Sequence, residues 1–309
     1  MINRLINGLK EKNIKSISKL ISYVENNHLH SQQISDLVFP ILKGAYRLGI
    51  TGPPGAGKST ITNQLIKYFR KKNKRVAVIL VDPTSPFSGG ALLGDRIRMN
   101  MHYEDSEVFI RSVATRGSSG GLVSSANDIA DILDAAGYDI IIFETVGVGQ
   151  IEVDVVEQVD TVVLILVPES GDDIQMMKAG VVEVADIFLI NKSDRKDADK
   201  LYASINNMLD ISGYKEKQWI PKIIKTVGTK GLGVNELFEE LLNHKRFIQN
   251  NNQIKKYNDR YIKKIDELLI KKTKNKFWTT KIRNIINKEL NKDISKRISP
   301  NQIFKKLYK

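Results

Sequence analysis

Cysteine is absent from this chain of 309 residues, and histidine occurs only four times. Without cysteine, the protein can form no disulfide bond, no thiolate nucleophile and no cysteine-ligated metal centre. The sequence has no run of eighteen apolar residues, so we expect no membrane-spanning helix. Its beginning lacks the pattern of a secretory signal. Four basic residues among the first fifteen are compatible with a transit peptide, but the cytoplasm is the expected location.

Negative charge is scarce only near the carboxyl terminus. Residues 245–309 hold 20 Lys and Arg against 5 Asp and Glu, whereas residues 1–244 hold 28 against 30. A basic tail can contact nucleic acid, anionic lipid or an acidic protein. Here the basic residues are interleaved with regularly spaced apolar ones rather than clustered with aromatic residues, which favours a solvated helical face. We therefore expect neither nucleic acid nor a membrane as a partner.

The most specific motif follows an apolar stretch that ends near Thr51 and precedes a helical pattern over Ile61–Phe69. It reads Gly-Pro-Pro-Gly-Ala-Gly-Lys-Ser-Thr, which matches the G-x-x-x-x-G-K-[ST] phosphate loop in its usual strand–loop–helix context. Glycines let the backbone turn several N–H groups onto one anion, and the following helix directs its positive end at the phosphates. The predicted nucleotide-binding residues of this loop are Gly52, Pro53, Pro54, Gly55, Ala56, Gly57, Lys58, Ser59 and Thr60.

A second motif, Asn-Lys-Ser-Asp at residues 191–194, follows the apolar stretch Ile187–Ile190. The Asp194 carboxylate can accept hydrogen bonds from guanine N1–H and the 2-amino group, whereas adenine would leave it unpaired. Asn191 and Lys192 are expected to brace the base and its loop. Together with the phosphate loop, this motif predicts GTP and GDP, rather than ATP, as the ligands.

Acidic residues near the ends of predicted strands supply oxygen ligands for Mg²⁺. The predicted metal ligands are Ser59, Asp82, Asp95 and Glu144, and the predicted catalytic residues are Lys58, Asp82, Asp95 and Glu144. Glu144 begins Glu-Thr-Val-Gly, where GTPases usually carry Asp-x-x-Gly, so Gly147 is expected to donate its N–H to the γ-phosphate. For Asp82 and Asp95, a cap or a loop salt bridge is the structural alternative. No glutamine is obviously placed to orient water, so we expect slow intrinsic hydrolysis.

Three arginines are candidates for stabilising charge in the reaction. They are Arg98, Arg111 and Arg116. A structural ion pair is nevertheless the expected fate of any one of them.

Apolar stretches of strand length alternate with helical patterns through the middle of the chain. This alternation predicts an α/β fold of the P-loop NTPase type, with a mostly parallel sheet flanked by helices. The predicted strands are Tyr46–Thr51, Arg75–Val81, Asp139–Phe143, Thr161–Val167, Ile187–Ile190 and Lys222–Thr226. Helical patterns are predicted at 2–24, 31–42, 61–71, 124–136, 175–185, 200–209 and 234–244. We divide the chain into an N-terminal helical segment (1–44), a GTPase domain (45–244) and a basic C-terminal helical extension (245–309).

Several longer segments resemble the MeaB/ArgK family of P-loop GTPases. They are residues 81–99, 110–117, 144–150, 171–175 and 191–194. The family includes the GTPase that accompanies methylmalonyl-CoA mutase. The resemblance implies a G-protein chaperone that gates the loading of adenosylcobalamin into an acyl-CoA mutase and helps exclude damaged cofactor. It also implies a homodimer held by the C-terminal helices.

The resemblance assigns roles to particular residues. Lys58, Ser59, Asp95 and Glu144 match family positions that hold phosphate and Mg²⁺, with Asp82 nearby. The loop at 168–178 resembles a family switch that passes the nucleotide state to the mutase. In this loop Glu169 stands where the family commonly has glycine, so the loop is expected to move differently.

A second departure from the family lies in the segment expected to face the guanine. Here the family usually has a Ser-Ala pair, whereas this chain has Val227, Gly228 and Thr229 after Thr226. Val227 lacks the hydroxyl group, but backbone N–H groups of the segment can still contact the base. We therefore include Val227, Gly228 and Thr229 among the predicted nucleotide-binding residues.

Two other functions fit parts of the sequence. A nickel-insertion GTPase would need a metal-handling cluster, and scattered histidines without cysteine argue against one. His28 and His30 are close in sequence, but a polar loop is their expected place. The other alternative is a nucleotide-switched scaffold whose basic tail binds a membrane or nucleic acid.

Overall fold

A computed structural model describes residues 1–26, 28–82, 102, 104–114, 121–145, 158–168, 184–211, 219–251, 253–293 and 296–307. The chain divides into two compact units, Met1–Lys256 and Tyr257–Lys309. Within the described ranges, none of the helices combines the length and the apolar character that crossing a bilayer requires.

A parallel β-sheet forms the centre of the first unit. Its seven strands lie in the order β3-β2-β4-β1-β5-β6-β7, and each neighbouring pair runs parallel. The strands are β1 (Tyr46–Thr51), β2 (Val76–Asp82), β3 (Val108–Ala114), β4 (Ile140–Thr145), β5 (Thr161–Leu166), β6 (Ile187–Ile190) and β7 (Lys222–Lys225). The predicted α/β class is therefore confirmed. Because all strands run the same way, the loops after β1, β4 and β6 leave the same edge of the sheet.

Helices precede, connect and follow these strands. In the described residues they are α1 (Ile2–Lys10), α2 (Ile14–Glu25), α3 (Ser31–Val38), α4 (Lys58–Lys71), α5 (Gly121–Ala135), α6 (Ala198–Ile211), α7 (Val234–Asn251), α8 (Gln253–Phe277), α9 (Thr280–Leu290) and α10 (Pro300–Leu307). Short 3-10 turns occupy Phe39–Ile41 and Gly228–Lys230. The predicted helix at 175–185 falls mostly outside the described residues.

The amino-terminal helical pattern is interrupted, although its apolar spacing predicts helix throughout residues 2–24. Lys12 adopts a left-handed backbone with φ of +61°, and the Asn13 side chain accepts a hydrogen bond of 3.0 Å from the Ser16 N–H. Asn13 thus caps α2, because its oxygen satisfies an N–H group that the first helical turn leaves unpaired. Apolar periodicity does not reveal such a break, since the stripe continues on both sides of it.

Alternate residues of the buried strands face different layers of the core. Ile79 of β2 packs in a cluster with α1, α2, α3 and α5, whereas its neighbour Val78 packs in a cluster with α4 and α7. A third cluster joins Phe188 of β6 to α6. Each of these three side chains is fully buried, which contributes about 1.5–3 kcal/mol per residue to folding. The two-sided burial explains why these strands read as continuous apolar runs.

Strand β3 was not predicted, and its sequence shows why. Arg111 and Ser112 interrupt its apolar residues, and β3 lies at the edge of the sheet. The Arg111 guanidinium pairs with Glu25 of α2 at 2.6 Å and also donates to the Ser22 hydroxyl at 3.1 Å. Arg111 therefore forms a structural ion pair rather than a described part of the candidate site. Arg98 and Arg116 lie outside the described residues.

Polar side chains are buried at the amino end of the sheet, opposite to the phosphate loop. The Tyr46 hydroxyl is hydrogen-bonded with Thr161 Oγ1, which lies 2.7 Å from His244 Nδ1. On the other side of the ring, His244 Nε2 lies 3.3 Å from Asp186 Oδ1. A neutral imidazole satisfies both contacts, because Nδ1 accepts from Thr161 and Nε2–H donates to Asp186.

Burial of the ring, together with the nearby Lys256 ammonium, lowers the pKa of His244 to about 3. Desolvation of the buried ring is the larger of these two effects on the pKa. In the unfolded chain the imidazole recovers its ordinary pKa near 6.5. Between these values the unfolded state binds the proton and the folded state does not, so this residue makes folding less stable as pH falls.

We predict that replacing His244 by glutamine flattens the acid side of the stability profile. In the wild-type protein, His244 should add a slope of up to about 1.4 kcal/mol per pH unit below pH 6.5. Urea unfolding at pH 7, 6 and 5 measures this slope in both proteins. Equal slopes would show that His244 titrates alike in the folded and unfolded states.

Candidate functional site

The phosphate loop turns sharply between β1 and α4. Gly52, Gly55 and Gly57 have φ values of +142°, +75° and +89°, which L-residues rarely adopt. Gly57 directly precedes α4, so the loop ends at a helix N-terminus whose N–H groups and dipole favour an anion. The motif therefore has the local geometry that its sequence predicts.

Two of these glycines also allow close packing. A Cβ on Gly52 would lie 2.1 Å from the backbone oxygen of Ile165 in β5. A Cβ on Gly57 would lie 2.3 Å from Asn191 Nδ2. Glycine is thus required at both positions for contact with neighbouring elements as well as for backbone conformation.

Lys58 extends back across the loop. Its ammonium donates to the carbonyl oxygens of Gly52 and Pro53 at 2.7 and 3.0 Å. The residue is buried, with 8% of its surface exposed. An anion in the loop would meet a positive charge already held in place, which strengthens binding because little side-chain freedom remains to be lost.

Two hydroxyl groups of α4 converge on the carboxylate of Glu144, which lies near the carboxyl end of β4. Ser59 Oγ lies 2.5 Å from Oε1, and Thr62 Oγ1 lies 2.7 Å from Oε2. The pairing of Ile50 with Glu144 between β1 and β4 sets this distance, because it brings the end of β4 beside the start of α4. Glu144 is only 3% exposed.

The remaining predicted metal ligands are less fully described. Asp82 ends β2, and Val81 pairs with Thr145, so the ends of β2 and β4 are adjacent. The side chain of Asp82 lies outside the described part of the chain, as do Asp95 and Gly147 entirely. Of the predicted switch segment at 168–178, only Pro168 is described.

The base-reading motif lies in the loop after β6. The Asn191 amide donates to the Ala56 carbonyl at 2.7 Å, and its oxygen accepts from the Gly228 N–H at 3.0 Å. Thr226 Oγ1 lies 3.3 Å from the same oxygen. Because Asn191 is buried, with 3% exposure, these contacts fix the phosphate loop against the segment that follows β7.

Other residues of the motif border on solvent. Lys192 has a left-handed backbone with φ of +56°, a conformation that marks a constrained loop. Asp194 is exposed and forms an ion pair of 3.4 Å with Lys230. In the facing segment, Val227 and Gly228 are buried and Thr229 is exposed.

Sequence reasoning missed two contacts of α4. Thr62 binds Glu144, and Gln64 Nε2 donates to the Gly228 carbonyl at 3.0 Å. The i, i+3 spacing of Ser59 and Thr62 could have indicated a shared helix face. No sequence signal identifies the partner of Gln64, because it depends on how the loop after β7 meets α4.

The amino-terminal histidines are engaged in ring contacts. The His28 ring stacks on Tyr23 at 4.5 Å and lies 5.1 Å from the His30 ring. In the ranges that the structure describes, no group of three or more His, Asp and Glu side chains could hold a metal ion.

We predict that Gly57→Ala weakens nucleotide binding by about tenfold or more. The new Cβ would displace the Asn191 amide from Ala56 and Gly228, which leaves buried polar groups unpaired. Gly44→Ala is the matched control, because Gly44 has φ of +81° but open space around its Cβ. The left-handed backbone should cost both variants about 1–2 kcal/mol of unfolding free energy. Gly57→Ala should lose more, because of its unpaired buried groups, and calorimetry should find reduced affinity only for this variant. Normal affinity in Gly57→Ala would contradict the proposed closeness of the loops.

Comparison with known proteins places this site in a family. A model of the family described as methylmalonyl Co-A mutase-associated GTPase MeaB matches residues 17–282. The chain is 46% identical over 311 residues to the Pyrococcus horikoshii protein named "Putative GTPase PH0274", covering 99% of this chain and 98% of that one. It is 35% identical over 250 residues to GTPase ArgK of Escherichia coli, covering 78% of this chain and 75% of the relative.

A mammalian relative and a solved structure agree with this assignment. The mouse protein named methylmalonic aciduria type A homolog, mitochondrial, is 33% identical over 257 residues, covering 78% of this chain and 62% of its own length. The crystal structure of an LAO/AO transport system kinase superimposes with a TM-score of 0.71 at 25% identity, covering 99% of this chain and 96% of that one. The sequence resemblance is thereby confirmed, and the chain belongs to the MeaB/ArgK family of P-loop GTPases.

Proposed function

We propose that this GTPase, acting in the cytoplasm, controls the loading of adenosylcobalamin into an acyl-CoA mutase and protects the loaded enzyme. The family description names methylmalonyl-CoA mutase as the associated enzyme, and the mouse relative is named after methylmalonic aciduria. The family match carries the choice of partner, and the Asn191 amide, which connects the phosphate loop to the base-reading loop, supports the nucleotide-dependent part of the proposal. One bound nucleotide can therefore set the position of both loops.

As a member of this family, the chain binds GTP and GDP. In our proposal residues 52–60 hold the phosphates, and Lys58 directs its ammonium at the outer ones. Asp194 exchanges the exposed Lys230 for the guanine N1–H and 2-amino donors. Lys192 braces the base, and the backbone of Val227, Gly228 and Thr229 borders it. An exposed ion pair is worth about 0–1 kcal/mol, so releasing Lys230 costs little.

The residues near the phosphate loop fit Mg²⁺. Ser59 and Glu144 offer hydroxyl and carboxylate oxygens, the ligand type that Mg²⁺ prefers, and these converge beside the helix N-terminus. We assign the ion to Ser59 and Glu144, with Asp82 from the end of β2 and Asp95 farther along the chain. When bound, Mg²⁺ would neutralise negative charge on the phosphates.

The chain's own groups then act by position and charge. Lys58 stabilises negative charge on the outer phosphates, Gly147 donates its N–H to the γ-phosphate, and Glu144 holds the Ser59 hydroxyl in place. Such electrostatic positioning is the main source of catalysis in phosphoryl transfer. Without an assigned residue that orients water, the proposal includes slow intrinsic hydrolysis.

We further propose a homodimer held by the C-terminal helices. Large apolar side chains of these helices remain exposed, namely Tyr257, Tyr261, Ile265, Leu268 and Phe304. A second copy could cover such faces, because apolar stripes on helices are stabilised by burial. The division into residues 1–44, 45–244 and 245–309 belongs to the same proposal.

Asp194→Asn should change the base that the protein reads. Asparagine offers an N–H donor where guanine also has a donor, so GTP affinity should fall by about a hundredfold or more. Xanthine has a carbonyl in place of the 2-amino group, so xanthosine triphosphate should bind the variant better than the wild-type protein. Calorimetric titration of the wild-type protein and the variant with both nucleotides measures this change in base preference. Unchanged preference for GTP would remove Asp194 from base recognition.

The mutase proposal predicts nucleotide-dependent binding to a purified adenosylcobalamin-dependent acyl-CoA mutase from the same genome. Affinity for the mutase should differ at least about fivefold between GDP and a non-hydrolysable GTP analogue, the range typical of coupled sites. Transfer of adenosylcobalamin to the apo-mutase should also differ between these two nucleotides.

Asp194→Asn provides the control for this experiment. In that variant, a xanthosine triphosphate analogue rather than the GTP analogue should govern both binding and cofactor transfer. If the wild-type protein binds no such mutase in either nucleotide state, the proposed partner is wrong. Retention on anionic vesicles or DNA that falls steeply with salt would instead support the scaffold function.

A further inference from the structure

We infer that Thr62 is a positioning residue that holds Glu144 in place for a divalent cation bound with the nucleotide. This inference rests on the proposed role of Glu144 as a metal ligand. Thr62 belongs to neither sequence motif. Its contact with Glu144 joins α4 to β4 across 82 positions of the chain.

Thr62 occupies an unusual place for a polar side chain. Its surface is fully buried, and its neighbours Ile61, Leu65 and Ile66 on α4 are fully buried as well. Threonine is a weaker helix former than leucine, and a buried hydroxyl without a partner is costly. An apolar residue would pack better at this position, so a specific partner is needed to explain the hydroxyl.

Two acceptors compete for the single hydroxyl proton of Thr62. Glu144 Oε2 lies at 2.7 Å, and the Lys58 carbonyl one turn earlier lies at 3.0 Å. The carboxylate is the shorter contact and the charged acceptor, and charge-assisted hydrogen bonds are about twice as strong as neutral ones. The Thr62 proton is therefore assigned to Glu144.

Ser59 and Thr62 hold different oxygens of the same carboxylate. Ser59 donates to Oε1, and Thr62 donates to Oε2. The Ser59 oxygen can bind a cation through a lone pair while its proton stays on Glu144, but the contact between Ser59 and Oε1 changes when Oε1 itself also binds the cation. Thr62 can keep Oε2 during this change, because its helix position is one turn farther from the phosphate loop. The Glu144 carboxylate then keeps its orientation, and Oε1 stays available to the cation.

Two substitutions of Thr62 distinguish the role of its hydroxyl from the role of its shape in packing. Thr62→Val keeps the shape but removes the hydroxyl, and Thr62→Ser keeps the hydroxyl but removes the methyl group. Binding of a non-hydrolysable GTP analogue is measured by calorimetry in EDTA and across a Mg²⁺ titration. Thr62→Val should need about tenfold more Mg²⁺ for tight binding, as expected for one lost bond to a charged group. Thr62→Ser should stay within about threefold of the wild-type protein.

Thr161→Val is the matched control, because Thr161 is also fully buried and hydrogen-bonded but lies at the opposite end of the sheet. It should lower thermal stability while leaving the Mg²⁺ requirement unchanged. If Thr62→Val does not fold, Thr62→Ala takes its place in the comparison. Equal loss of affinity in EDTA and in Mg²⁺ would show general damage to the site and overturn the inference.

A double-mutant cycle tests whether Thr62 acts through Glu144. In a Glu144→Gln background, Thr62→Val should cause little further change in the Mg²⁺ requirement, because the two residues form one unit. Additive effects would overturn the inference. If the wild-type protein shows no Mg²⁺-dependent binding of guanine nucleotide, the proposed metal site itself fails. If the wild-type protein responds normally to Mg²⁺ and Thr62→Val responds in the same way, the inference about Thr62 is wrong but the proposed metal site stands.

Discussion

The side-chain amide of Asn191 joins the two loops on which nucleotide recognition depends. It contacts Ala56 on one side and Gly228 on the other, and it is almost completely buried. Buried amide groups must be hydrogen-bonded to be tolerated, so neither loop can move far without breaking these contacts. Gly57 has no room for a Cβ for the same reason, since that atom would meet the Asn191 nitrogen. The phosphate-loop motif and the segment after β7 are thereby connected through one side chain.

Parallel strands supply the second condition for the site. Because β1 and β4 are neighbours, with Ile50 opposite Glu144, the carboxylate faces the first turns of α4. There it meets hydroxyl groups from Ser59 and Thr62. The apolar clusters on both faces hold this register, because a shift by one residue would exchange buried faces. The same sheet places polar residues at its other end, where His244 links Thr161 to Asp186. The two ends of the strands thus carry separate polar clusters.

Most of the fold could be predicted because its strands are buried on both faces. Continuous apolar runs mark β2, β4, β5 and β6, and the alternation of strands with helices adds β1 and β7, whereas β3 escaped because Arg111 and Ser112 interrupt it. The break between α1 and α2 was also missed, because apolar spacing continues across it while Asn13 caps the second helix. These errors occur where a polar side chain has a local or tertiary partner that hydrophobic patterning does not register.

By itself, the sequence determined the nucleotide class, the family and the position of most strands and helices along the chain. These properties depend on local backbone conformation and on residues close together in the chain, such as the glycines before Lys58 and the run from Asn191 to Asp194. Only the tertiary structure decided that Asn191 binds Ala56 and Gly228, that Gln64 supports the Gly228 carbonyl, and that Thr62 shares Glu144 with Ser59. Such contacts join distant residues through strand order and register, which residue spacing does not encode.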